Sequence, residues 1–174
     1  MSARDRILDT FELILTSEGE RAATLDAVAA RAGVSKGGLL YHFPSREALT
    51  AGLVQRADEL AAQYLELLRT AEEGPTAAYI RTSADIGTPF DHTFIALSKL
   101  GGDQHPDAVS ALRRAQRDWI ALLTDEVGDE ATARAIVLMG DGLYYNALFQ
   151  DGAADHDPES LLRIVAVLIE AAKR

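Results

Sequence analysis

The chain has 174 residues, and its 27 Asp and Glu outnumber its 17 Lys and Arg to leave a net charge of −10. It contains no cysteine, which excludes disulfide frameworks and thiolate metal sites, and its 48% apolar content suffices for a substantial core. With no apolar run of about 18 residues and no charged-then-apolar leader, a cytoplasmic protein without a membrane span is expected.

Helix follows helix along the chain, and no alternating pattern competes with an all-α reading. Ile7, Leu8, Phe11, Ile14 and Leu15 recur at helical spacing, with Gly19 just past the end of the segment. This first helix is expected to cover the next two from behind. Thr24 is an N-cap type and Asp26 suits a helix start. Leu25, Val28, Ala29 and Ala32 then form one apolar face up to Gly33, which can close a helix in the left-handed conformation. Ser35 is a second N-cap type two residues later, so a short helix over roughly Lys36 to His42 must cross the preceding one steeply.

That short helix carries Gly37 and Gly38 in its first turn, at a cost of about 1 kcal/mol each relative to alanine. At 100° per residue, Leu39 and Phe43 fall on the core side and Gly37 and Tyr41 on the other. An outer face of bare backbone can approach another surface closely. If that surface is DNA, Lys36 adds a charge at the phosphates, and Tyr41 and His42 stand as a groove-facing ring and a flanking donor. Pro44 and Ser45 end this helix and start the next.

The ordered set RILDTFELI, TLDAVAARAGVSKGGLLYHF and PSREAL, from Arg6 to about Leu53, closely resembles the N-terminal DNA-binding domain of the TetR family of bacterial transcriptional regulators. The resemblance implies a helix-turn-helix reader. Its backbone contacts would come from Thr24, Ser35, Lys36, His42 and Arg46, with Gly37, Gly38 and Tyr41 nearest the bases. One position departs from the pattern: Leu40 stands where the family often has a tyrosine, and groove packing or a thymine methyl contact would replace a phosphate-contacting hydroxyl. Residues 1–50 hold six basic and seven acidic side chains, so nine of the ten net negative charges fall in the remainder. The expected division is a DNA-binding domain over 1–50 and a helical ligand-binding and dimerisation domain over 51–174, about nine helices in all.

From Ser45 a long helix is predicted to about Thr70, with Leu49, Leu53, Leu60, Tyr64 and Leu67 on one side, ended by Glu72 to Pro75. A segment with Tyr79, Ile80 and Ile86 runs to Gly87–Pro89, and a short apolar one spans Phe90 to Leu100. Helices follow near Asp107 to Val127, Glu130 to Gln150 and Pro158 to Lys173. The last two carry apolar residues on more than one face, and Gly140 and Gly142 permit close approach, so a second apolar partner is implied. We expect these helices to pair with their copies in a two-fold dimer through Ile136, Met139, Gly140, Leu143, Leu161, Ile164, Val165 and Leu168.

A dimer of such readers would recognise a palindromic operator in double-stranded DNA, with half-sites about 34 Å apart. The resemblance places a small-molecule effector among the middle helices. The candidates there are Tyr64, Tyr79, Phe90, His92, Phe94, Trp119, Met139, Tyr144, Tyr145 and Asn146, with Trp119 the strongest as the only tryptophan. The function expected is a transcriptional regulator, in the family's usual mode a repressor, released from DNA by its effector. The alternative is a helical protein-interaction module that has lost specific DNA binding. Catalysis is not expected: the four histidines lie in unrelated segments, no metal or cofactor motif is present, and Gly140 and Gly142 follow no strand.

Overall fold

The computed structural model describes residues 2–149 and 158–173, and within these it contains nine α-helices and no strand. In chain order they are α1 (Ala3–Glu18), α2 (Leu25–Ala32), α3 (Lys36–His42), α4 (Arg46–Arg69), α5 (Pro75–Thr82), α6 (Pro89–Ser98), α7 (Pro106–Val127), α8 (Glu130–Phe149) and α9 (Pro158–Ala172). The predicted all-α class and helix order hold. Gln150, the expected end of α8, lies outside the described residues.

Local chemistry explains most boundaries. Ser2 and Asp5 form a reciprocal capping box at α1, each side chain accepting the other's backbone N–H at 3.0 and 2.9 Å. Pro89 and Pro106 open α6 and α7 instead of ending the loops before them, because a first-turn residue needs no N–H and proline's fixed φ suits that position. At α5 the preceding Gly74 offers no side-chain cap, and the carboxylate of Glu126 on α7 instead accepts the Thr76 N–H at 2.7 Å. Helix α5 stops at Thr82, which leaves Ile86 beyond it and exposed. On α4 the buried position near the end is Leu68, not Leu67, which faces solvent.

Packing divides the chain differently from a single cut at residue 50, because two segments distant in sequence return to the N-terminal bundle. One compact unit comprises residues 1–61 and 89–114, and the other residues 62–88 and 115–174, so α4 and α7 each contribute to both. In the first unit α1 packs on α2, α3 and α6. Its core joins Ile7, Leu8, Phe11, Ile14 and Leu15 to Val28, Leu39, Phe43, Leu49 and Leu53, and to Ala96, Leu97 and Leu100 from the returning segment. The core of the second unit contains Leu68, Tyr79, Ile80, Trp119, Leu123, Ile136, Val137 and Val165.

The first unit also buries charge. Glu12 is almost fully enclosed, and burial pushes its carboxyl pKa upward against the opposing pull of Thr93 and Arg56. The Arg56 guanidinium reaches Asp9 at 2.6 Å and Glu12 at 3.2 Å, and Thr93 on α6 donates to Glu12 at 2.6 Å. A buried carboxylate is thus matched by a full cation and a hydroxyl, the condition under which its desolvation is tolerated.

Candidate nucleic-acid interface and ligand site

The reader is built from three caps and one glycine. Thr24 Oγ1 accepts the Ala27 N–H at 3.2 Å, Gly33 closes α2 at φ 65°, and Ser35 Oγ accepts the Gly38 N–H at 3.0 Å. Both hydroxyls cap helices and remain exposed, so each still has a proton to offer a phosphate. On α3, Leu39 is wholly buried while Lys36, Gly37 and Tyr41 face out, Tyr41 being 85% exposed. His42 is half-buried with its ring edge-to-face against Tyr41 at 5.2 Å, and Leu40 and Gly38 are also half-buried.

A Cβ placed on Gly37 would meet only Ser35 Oγ, at 4.0 Å, so nothing inside the chain demands glycine there. The demand must come from outside.

The cations of this region are already partnered. Lys36 Nζ lies 2.8 Å from Asp26, and Arg31 pairs with Glu18. Arg46, expected at the DNA backbone, turns inward: its guanidinium donates to the carbonyls of Ala23 and, at 3.1 Å, of Glu20, and lies 5.3 Å over the Phe11 ring. It braces the start of α4 against the connection before α2. Sequence position alone could not distinguish that geometry from an outward cation.

The ligand candidates fall into two groups. Phe90, His92 and Phe94 lie on α6, in the first unit, where Phe90 and Phe94 stack at 4.2 Å and His92 is exposed. Asp91, considered with His92 as a polar pair, is buried on the same helix. In the second unit Tyr64, Tyr79 and Trp119 come together. The Trp119 indole meets Tyr64 edge-to-face at 5.9 Å and Tyr79 at 6.1 Å and 44°. The Tyr64 hydroxyl hydrogen-bonds Thr82 Oγ1 at 2.6 Å, and the Tyr79 hydroxyl donates to Asp141 at 3.2 Å. Asp141 was not anticipated, since a single acid in an apolar helix gives no periodic signal. Burial raises its pKa, countered by Tyr79 and Gln116, and burial first and Asp141 second push the Tyr79 phenol upward. Met139 and Tyr144 are half-buried on α8, whereas Tyr145 and Asn146 are exposed.

The expected dimer residues separate by burial. Ile136, Gly140, Leu143 and Val165 are buried within the chain itself and are not available to a second copy. Gly140 shows why: a Cβ there would collide with the Tyr79 ring, so this glycine admits α5 rather than another molecule. Met139, Leu161 and Leu168 are half-covered, and Ile164 is exposed. The apolar residues facing outward are Leu138 and Tyr145 on α8, with the bare Gly142 between them, and Ile164 and Val167 on α9. Each set recurs at spacings of three and four and so marks one helix face. Both helices are apolar on several sides, so periodicity could not say which face turned inward.

Comparison with known proteins agrees with this geometry. No curated protein matches the chain. The solved structures similar to it include a TetR-family transcriptional regulator from Rhodococcus sp. (TM-score 0.73, 19% identity, 96% of this chain and 98% of that one). Another is the multidrug binding protein EbrR complexed with malachite green (TM-score 0.71, 23% identity, 95% and 96% of the two chains). A third is a TetR-family transcriptional regulator from Streptomyces coelicolor (TM-score 0.67, 23% identity, 98% and 87%). At these identities the likeness is one of fold. Residues 7–53 match the family described as bacterial regulatory proteins, tetR family, and residues 73–173 match the tetracyclin repressor-like C-terminal domain. With its helix-turn-helix and most of its remaining length accounted for by these two matches, the chain belongs to the TetR family of bacterial regulatory proteins.

Proposed function

We propose that this regulator is a homodimeric repressor that binds a palindromic operator and leaves it when a small molecule occupies the second unit. The outer face of α3 carries the reading: Gly37 is open for no internal reason, and Tyr41 is exposed beside Lys36 while Leu39 anchors the helix. Lys36, Ser35, Thr24 and His42 contact phosphates, and Gly37, Gly38, Leu40 and Tyr41 lie nearest the bases. Arg46 serves by holding α4 in place. Selection of genomic fragments on the purified protein tests this. Lys36→Ala should weaken retention of all fragments, and Tyr41→Ala should also blunt discrimination among them. Unchanged retention with both variants would favour a protein-interaction module instead.

The dimer forms through the outward faces of α8 and α9, where Leu138, Gly142, Tyr145, Ile164 and Val167 leave apolar surface uncovered. A two-fold axis between paired helices presents two readers to successive major grooves. Effector response is supported by the aromatic cluster around Trp119 and by the similarity in fold to EbrR, whose structure holds malachite green. A ligand that fits one conformation better shifts the population toward it by its difference in affinity.

A further inference from the structure

The two enclosed carboxylates of this protein are treated differently. Glu12, in the first unit, has the Arg56 guanidinium and the Thr93 hydroxyl against it. Asp141, in the second, receives only neutral donors: the Tyr79 hydroxyl at 3.2 Å on one oxygen and, at a long 3.5 Å, the Gln116 amide on the other. Among the described residues no Lys or Arg pairs with Asp141. A carboxylate withdrawn from water without a cation is disfavoured as an ion, and its pKa is raised accordingly. An asparagine would satisfy the Tyr79 hydroxyl equally well, without the cost of a desolvated charge. Structural need therefore does not explain the negative charge.

The surroundings of Asp141 say what would. Gln116 and Trp119 are three residues apart on α7 and so lie on one face, which places the indole near the carboxylate that Gln116 touches. Two tyrosines flank that indole at 5.9 and 6.1 Å, at 88° and 44° to it, so the three rings present π faces in different directions instead of stacking shut on one another. Their tips are fixed: Tyr64 by Thr82, and Tyr79 by Asp141 and by the bare backbone of Gly140 beneath its ring. Rings held in this way attract a cation through their quadrupoles without reordering, and the attraction is greatest where water is excluded.

We propose that Tyr64, Tyr79, Trp119 and Asp141 form the effector site and that it selects a flat aromatic cation, the rings stacking on its body and the Asp141 carboxylate neutralising its charge. This rests on the effector-responsive reading above and adds the chemical class of the effector. Lys36 and Tyr41 play no part in it, so the site can be tested without DNA.

Calorimetric titration of the full chain with N-methylacridinium, a permanent cation, and with acridine, which is uncharged in mildly alkaline buffer, isolates the charge at nearly constant shape. The wild-type protein should bind the cation at least about tenfold more tightly. Asp141→Asn should abolish most of that preference, and Asp141→Glu should retain it, with circular dichroism reporting that both variants fold. Equal binding of the two probes by the wild-type protein, or binding of neither, overturns the proposal whether or not the variants fold. A preference that survives in a folded Asp141→Asn protein overturns the role of Asp141. Lys36→Ala should leave both titrations unchanged, so failure of DNA retention and failure of cation selection are read separately.

Discussion

The hydroxyl of Thr93 donates a 2.6 Å hydrogen bond to the carboxylate of Glu12, a residue 81 positions earlier in the chain. Thr93 is wholly buried on α6 and Glu12 nearly so on α1, so this bond fastens the returning helix to the bundle that carries the reader. Thr93→Val keeps the shape of the side chain and removes the donor. It should destabilise the protein by about 1.5–3 kcal/mol, the range for a buried hydrogen bond to a charged group, as measured by urea unfolding.

Gly37 offers a substitution with two effects of opposite sign. Its neighbours leave room for a methyl group and its backbone is helical. Gly37→Ala should therefore raise stability by about 0.5–1 kcal/mol in thermal unfolding, since alanine loses less chain entropy in a helix. The same methyl group stands on the face turned toward DNA and should reduce operator affinity in a gel-shift titration. Unchanged affinity would remove Gly37 from the interface.

Glu20 links two stretches of the first unit, and its pH dependence has a definite sign. Its carboxylate accepts the Gly101 N–H at 3.1 Å and contacts His105 Nε2 at 2.7 Å; these bonds, in that order, lower its pKa below the ordinary 4.5. A folded value below the unfolded one stabilises the protein above pH 4.5, and that contribution disappears as pH falls through the folded value. The urea midpoint of the wild type should exceed that of Glu20→Gln at neutral pH, and the gap should close in acid below 4.5.

The two faces of α8 predict different phenotypes. Leu138→Glu alters an exposed residue and should convert the dimer to folded monomers in light scattering, with little loss of helical signal. Ile136→Ala alters a wholly buried one and should cost about 2–5 kcal/mol of stability. A monomeric wild-type protein at micromolar concentration would refute the dimer.

The elements were legible wherever local chemistry decides the backbone. Thr24, Gly33, Ser35 and Ser45 marked the helix-turn-helix because a cap or a left-handed residue acts within three or four positions of itself. Contacts between distant segments were not legible. Glu126 capping α5, Thr93 reaching Glu12 and Arg46 turning inward each depend on where a remote helix lies, and no spacing encodes that. Leu67 and Leu68 are chemically the same, so composition could not choose between them. Of the ligand candidates, the structure brings together Tyr64, Tyr79 and Trp119; it adds Asp141 and turns Tyr145 and Asn146 outward.

The Lys36–Asp26 and Arg31–Glu18 pairs have a consequence for where the protein resides in a cell. A phosphate approaching Lys36 must displace a carboxylate already 2.8 Å away, and the chain as a whole carries ten surplus negative charges. Random DNA, which offers little beyond phosphate, is therefore a poor competitor for this reader. Fewer copies are stored along the chromosome than for a basic protein of the same size, and more are free to diffuse. The number of molecules needed to keep one operator occupied falls accordingly, and so does the amount of effector needed to empty it.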